Sequence, residues 1–173
     1  MSKSKLKKCL LSMTHEQAVN VVMELYDGCR EAKDWLEFYL QPDIEAETEK
    51  CRKLLYSQFY GRRDEPKDPK FSECNKIVTA FSKLVNDAHA TADIMLYYVE
   101  VACSQPAQFG DFPEAYYTAV ENNFRKALKH ISKHGLMREY DGRLRLIISS
   151  VAHCGYGFPD VLWQFFMEYA YDE

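Results

Sequence analysis

The sequence predicts an all-α fold, and three observations carry that prediction. Apolar residues recur three or four positions apart along nearly the whole chain, the spacing that lines one face of a helix. Proline, glycine or a capping residue divides most of these stretches. Hydrophobic residues make up 47% of the chain and charged residues 28%, the balance of a globular protein with a buried core rather than of a disordered one. The expectation is a single domain over residues 1–173, with about seven or eight mostly antiparallel helices in one compact bundle or a short solenoid-like stack.

Taken in order, residues 2–11 are basic and predict a turn or two of helix. Thr14 with Gln17 has the form of a capping box, and Met13 and Ala18 stand where a hydrophobic staple would close it. Ala18, Val22, Leu25, Cys29, Ala32, Leu36 and Tyr39 then predict one long helix, or two joined near Gly28. Pro42 ends it and is placed to open the next. There Asp43, Glu45, Glu47 and Glu49 precede Lys50, Arg52 and Lys53, the order that suits the helix dipole, while Ile44, Cys51, Leu55 and Phe59 form the inward stripe.

Residues 61–70 (GRRDEPKDPK) read as a surface loop, and as the place where a domain boundary would fall. Cys74, Ile77 or Val78, Phe81 and Leu84 or Val85 mark the following helix; Ala88, Ala92, Met95, Val99 and Ala102 mark another, expected to end before Pro106, with a loop from Gln105 to Phe112. Pro113 opens a helix with Tyr117, Val120, Phe124, Leu128 and Ile131 inward and Gly135 as its stop. Met137, Tyr140, Leu144, Ile147 and Val151 give one more. Arg143-Leu144-Arg145-Leu146 also alternates like a strand and Ile147-Ile148 is β-branched, but a lone strand has nothing to pair with, so helix is expected. Gly155-Tyr156-Gly157 make a turn before a last helix at Pro159.

The segments Phe38-Tyr39-Leu40-Gln41-Pro42-Asp43 and Met95-Leu96-Tyr97-Tyr98-Val99-Glu100, with the capped helix ahead of the first, resemble an uncharacterised family of small bacterial all-helical proteins known only as a domain of unknown function. The resemblance covers most of the chain and departs from the family pattern at Gln41, where the family has Asn. It implies an all-helical fold, and it brings no activity and no functional residue.

The net charge of −4 excludes a chain that binds nucleic acid by bulk charge. The charge is unevenly placed, however. No Lys or Arg lies between Lys83 and Arg125, while Asp87, Asp93, Glu100, Asp111, Glu114 and Glu121 accumulate. Arg125, Lys126, Lys129, Lys133, Arg138, Arg143 and Arg145 follow, against only Glu139 and Asp141. Two outcomes are open: the blocks neutralise each other within the fold, or the 125–145 stretch forms a basic surface for an acidic partner or a nucleic-acid backbone.

His130 and His134, four apart on one helix face, are the nearest approach to a metal pair, without the Glu of a metalloprotease helix and without an identifiable third ligand. His153-Cys154 invites a nucleophile reading, but adjacent residues on a helix diverge by about 100° and would not pair. Phosphate-loop, dinucleotide and nucleophile-elbow signatures are missing from the sequence. The six cysteines are scattered with no C-x-x-C spacing, and the apolar run after the N-terminal lysines is too short for a signal peptide, which together point to reduced thiols in a cytoplasmic protein.

The function favoured is therefore a non-enzymatic helical module for protein–protein interaction or self-association, with Trp35, Tyr39, Trp163 and Tyr171 as exposed aromatic candidates. A nucleic-acid-associated protein using Lys129, Lys133, Arg138, Arg143 and Arg145 is the alternative, and a metal-dependent enzyme around His130 and His134 the next. No cofactor, small-molecule ligand or membrane span is implied.

Overall fold

The computed structural model describes residues 2–170, among which nine helices and no strand are found. They fall into two compact units, Met1–Asp43 and Ile44–Glu173. The loop at 61–70 lies inside the second. The helix count exceeds the expectation because the first forty residues hold more helix than their periodicity shows.

In the first unit α1 spans Lys3–Ser12, with the Ser2 hydroxyl accepting from the Lys5 N–H. Helix α2 spans His15–Gly28 and begins at the expected capping box: the Gln17 N–H donates to Thr14 Oγ1 at 3.2 Å, and the Thr14 N–H donates to Gln17 Oε1 at 2.9 Å. Helix α3 spans Arg30–Leu40. The residue between them, Cys29, takes an extended conformation (φ −134°, ψ 109°), so the predicted stripe is two helices that pack on each other. Gln41 caps α3 through its N–H to the Glu37 carbonyl.

The second unit is built around one helix. Helices α4 (Ile44–Phe59), α5 (Phe71–Val85), α7 (Glu114–Lys133) and α8 (Met137–Ser150) all pack against α6 (Ala88–Phe109). Helix α9 (Phe158–Ala170) closes the far side on α7 and α8. Burial all round α6 is what a central helix requires, and its sequence meets it: Ala90, Ala92, Ile94, Leu96, Tyr98 and Val101 point in different directions and are all buried. The surrounding helices show the one-sided stripes expected of them, with Leu55 and Phe59, Phe124 and Leu128, Leu144, and Leu162 and Phe166 inward. Pro42 and Asp43 precede α4 rather than opening it. The alternating segment at 143–148 is helical, within α8.

Gly135 ends α7 as expected. Its φ of +69° is open to glycine at little cost, and the chain reversal lets the Leu136 N–H donate to the Ile131 carbonyl at 2.9 Å.

The expected stop before Pro106 does not occur; α6 continues to Phe109 with Pro106 buried inside it. Proline has no N–H for the carbonyl four residues back, which is Ala102. The Tyr116 hydroxyl of α7 takes that place, donating to the Ala102 carbonyl at 2.8 Å and lying 2.9 Å from Gln105 Oε1. Fully buried Gln105 in turn donates from Nε2 to the Phe59 carbonyl at 2.6 Å, at the end of α4, and to the Lys67 carbonyl at 2.9 Å, in the loop. The broken ladder of one helix is thus repaired by the next. Replacing Tyr116 with Phe keeps the ring and strands two buried acceptors, so it is expected to lower the unfolding free energy by about 1–3 kcal/mol. Urea denaturation should show a lower midpoint with an unchanged slope.

Candidate functional site

The 125–145 stretch is divided between two helices, α7 and α8, and its cations have different fates. Arg143 on α8 is half-buried and faces α6. Its Nε and one terminal nitrogen bind both oxygens of Glu100 at 2.6 and 2.9 Å, and its other terminal nitrogen binds Asp93 Oδ1 at 2.7 Å. These carboxylates outweigh the cost of burial and hold the guanidinium pKa above its ordinary value. The predicted acidic and basic blocks therefore meet in space at this point. Arg125 pairs with Glu168 of α9 at 3.2 Å.

Arg145 pairs with Asp141 at 2.8 Å and lies over two rings of α9, 5.4 Å from the centre of Trp163 and 4.8 Å from that of Phe166. Trp163 is thus partly covered by its own chain. Lys129, Lys133 and Arg138 are exposed. Tyr171 lies outside the described residues.

His130 and His134 do share a face at the end of α7, with ring centres 4.5 Å apart. His130 Nε2 sits 2.9 Å from the Ala88 carbonyl at the start of α6, which commits that nitrogen as a donor. Nearby, His89 Nδ1 is 3.3 Å from Glu139. Among the described residues no three His, Cys, Asp or Glu side chains converge as a metal site would need.

His153 is exposed and Cys154 partly covered. Burial and the neighbouring Asp111 carboxylate raise the Cys154 thiol pKa, the opposite of what a nucleophile needs. Asp111 instead latches this turn, accepting from the Gly155 N–H at 3.1 Å and the Tyr117 hydroxyl at 3.0 Å. Burial also pushes the Cys51 thiol up to about 12 and the Cys74 thiol up to about 11.

The first unit is different in kind. None of the residues of α1, α2 or α3 is buried. At 100° per residue, Val21, Leu25, Ala18, Val22, Tyr26, Val19 and Met23 cover an arc of about 200° round α2. On α3, Phe38, Trp35, Tyr39, Ala32, Leu36 and Leu40 cover another of about 200°. A single neighbouring helix covers an apolar stripe of roughly 100°. The hairpin covers neither arc fully, and exposed residues alternate with half-buried ones round both: Val19, Val22, Met23 and Leu25 are exposed on α2, as are Trp35, Tyr39 and Leu40 on α3. Trp35 and Tyr39 stack at 5.2 Å, a flat aromatic ledge. The sequence singled out these two rings. It placed Val22 and Leu25 in the apolar stripe and passed over Met23, and all three are exposed, because periodicity gives the width of a stripe but not how many neighbours share it.

The polar edges are also sorted by sign. The α2–α3 hairpin carries Glu16, Glu24, Asp27, Glu31, Asp34 and Glu37 against Arg30 and Lys33. Lys33 spans the hairpin, 3.9 Å from Glu37 and over the Tyr26 ring, while the Tyr26 hydroxyl donates to Glu37 at 2.8 Å. Helix α1 carries Lys3, Lys5, Lys7 and Lys8 and no acid.

A family model matches residues 1–154, both the open first unit and most of the second. The chain belongs to DUF6155, a family of unknown function. No curated protein and no solved structure matches it. For this DUF6155 chain the matched span stops ahead of α9, although α9 buries Phe158, Leu162 and Phe166 against the bundle. Among the described residues no helix is long and apolar enough to cross a membrane.

Two outcomes follow. Under native conditions at mildly alkaline pH, iodoacetamide should label exposed Cys9 first and Cys154 well behind it, with Cys51, Cys74 and Cys103 reacting only on unfolding; peptide mass spectrometry reads the order. Arg143→Met should cost about 1–3 kcal/mol of stability by leaving Asp93 and Glu100 facing each other without their cation, measured by urea denaturation.

Proposed function

We propose that this chain works by association rather than catalysis, and that the α2–α3 hairpin of the first unit is the associating element, with a second copy of the same chain as its partner. The pair of 200° apolar arcs supports the reading. In a four-helix arrangement each helix has two neighbours, and an arc of that width is what two neighbours cover. One hairpin supplies two of the four helices, and a second copy supplies the other two through a two-fold, self-complementary contact.

Charge supports the same partner. Two hairpins alone would bring a surplus of acid to the contact. The lysines of α1, placed on the same unit with no acid among them, offset that surplus when two copies meet. Trp35 and Tyr39 form the centre of the contact, since large flat rings bury the most area for the least loss of side-chain freedom. The proposed setting is a bacterial cytoplasm, where the six free cysteines would stay reduced.

Sedimentation equilibrium over about a hundredfold range of concentration tests it, and a reversible monomer–dimer equilibrium is expected. Trp35→Glu and Leu25→Glu each place a charge at the contact centre on residues about half exposed in the single chain. Each should weaken the dimer at least about tenfold, while the helical signal and the unfolding of the second unit stay unchanged. A protein that remains monomeric throughout, or a dimer indifferent to both substitutions, overturns the proposal.

A further inference from the structure

Helices α5 and α7 both pack on α6, and between them lies a cavity of about 220 Å³. Each helix faces it with residues three or four apart, so the three present one level of the bundle to the same space. A cavity that stays dry inside a protein is lined by apolar groups alone. This one has a largely apolar wall, but five of its seven lining residues, Asn75, Thr79, Tyr98, Asn123 and Lys126, also bring a polar group to it.

The inward face of α7 is otherwise apolar, with Val120, Phe124 and Ala127 fully buried, yet Asn123 is buried among them. A carboxamide at a core position violates the pattern of its helix, and such violations concentrate where a protein binds something. The Asn123 side chain is fixed: Nδ2 donates to the Ala119 carbonyl at 2.8 Å and to the Tyr98 hydroxyl at 3.2 Å. That orientation turns Oδ1 toward the Lys126 ammonium, 3.4 Å away. The Tyr98 hydroxyl is itself buried, beside the Cys74 thiol of α5.

Lys126 is exposed and stands at the mouth. Asn75 and Thr79 add a carboxamide and a hydroxyl from the α5 wall, and Met95 adds an apolar surface from α6. No Asp or Glu lines the space, so an anion entering it meets a cation and neutral dipoles and no opposing charge.

We infer that the niche between α5, α6 and α7 is a binding site for a small organic monoanion, a carboxylate with a short apolar body. Lys126 pairs with the carboxylate, Asn75 and Asn123 border it, and Met95 receives the apolar end. The volume admits on the order of ten non-hydrogen atoms, a fragment rather than a nucleotide, and a ligand of that size binds in the millimolar range.

Titration of the full-length, ¹⁵N-labelled protein with hexanoate and benzoate tests this, with hexanamide and benzamide as neutral counterparts. The expected result is a saturable shift of the Asn123 side-chain amide by at least one carboxylate, with the matching amide binding at least about tenfold more weakly. Lys126→Gln, at an exposed position that leaves the fold intact, should weaken the carboxylate about fivefold to tenfold. Val78→Trp, which fills the space from α5, should abolish the shift. No saturable change up to about 50 mM ligand, shifts confined to other parts of the molecule, equal binding of acid and amide, or full affinity in Lys126→Gln would each overturn the inference.

Discussion

The second unit depends on how the chain deals with a proline it has buried. Proline in a helix interior costs about 3 kcal/mol relative to alanine, through a missing donor and a clash with the preceding turn. Here the free carbonyl of Ala102 is answered by the Tyr116 hydroxyl, and Gln105, one residue before the proline, binds the last carbonyl of α4 and a carbonyl of the 61–70 loop. The helix with the broken ladder thereby becomes the one to which α4, the loop and α7 are all tied. Every buried polar group in this knot has a partner, the condition under which such networks specify one arrangement instead of weakening the core. Because the partners lie 11, 14, 38 and 46 residues apart in sequence, the knot forms only when α4, the loop, α6 and α7 have come together.

Electrostatics follow the same plan of pairing across the central helix. The acidic residues of α6 receive Arg143 of α8, and α9 receives Arg125 and lies under Arg145. What reads along the chain as a block of positive charge is therefore spread round the bundle in space, with several of its members serving as bolts between helices. A nucleic-acid surface needs cations that are free to exchange for counterions along a backbone. Arg125, Arg143 and Arg145 already have carboxylates, so the nucleic-acid reading draws less support from the structure than from the sequence.

Helix class, most helix positions, the capping box at Thr14 and the stop at Gly135 were legible because each is written in local spacing: 3.6-residue periodicity, a Thr with Gln three residues on, a glycine past the last apolar residue. The break at Cys29 was legible only as one of two readings, a join near Gly28, since a single extended residue between two amphipathic helices leaves the periodicity nearly intact. The passage of α6 through Pro106 was not legible, because the donor that permits it belongs to a tyrosine ten residues further on. The same limit hid the niche. Asn123 looks in sequence like one more polar residue on a mixed helix, and only the fold shows that its neighbours at that level are Tyr98 and Lys126. Local rules report what a residue does to its own helix; they are silent on what another helix does for it.

The two units then represent opposite solutions to one problem. The second has enough chain to surround a helix on all sides, and its apolar residues are spent inward. The first has three helices and about forty residues, below the size at which a single core sustains itself, and its apolar arcs are twice as wide as its own hairpin can cover. Selection for solubility alone would have narrowed those arcs, since an exposed face with Trp35, Tyr39 and Leu40 is an aggregation hazard unless something covers it. Under the proposed self-association, the acid on the hairpin and the base on α1 match the two copies in charge as well as in shape. A unit that carries both halves of that match on one chain is suited to meeting its own copy.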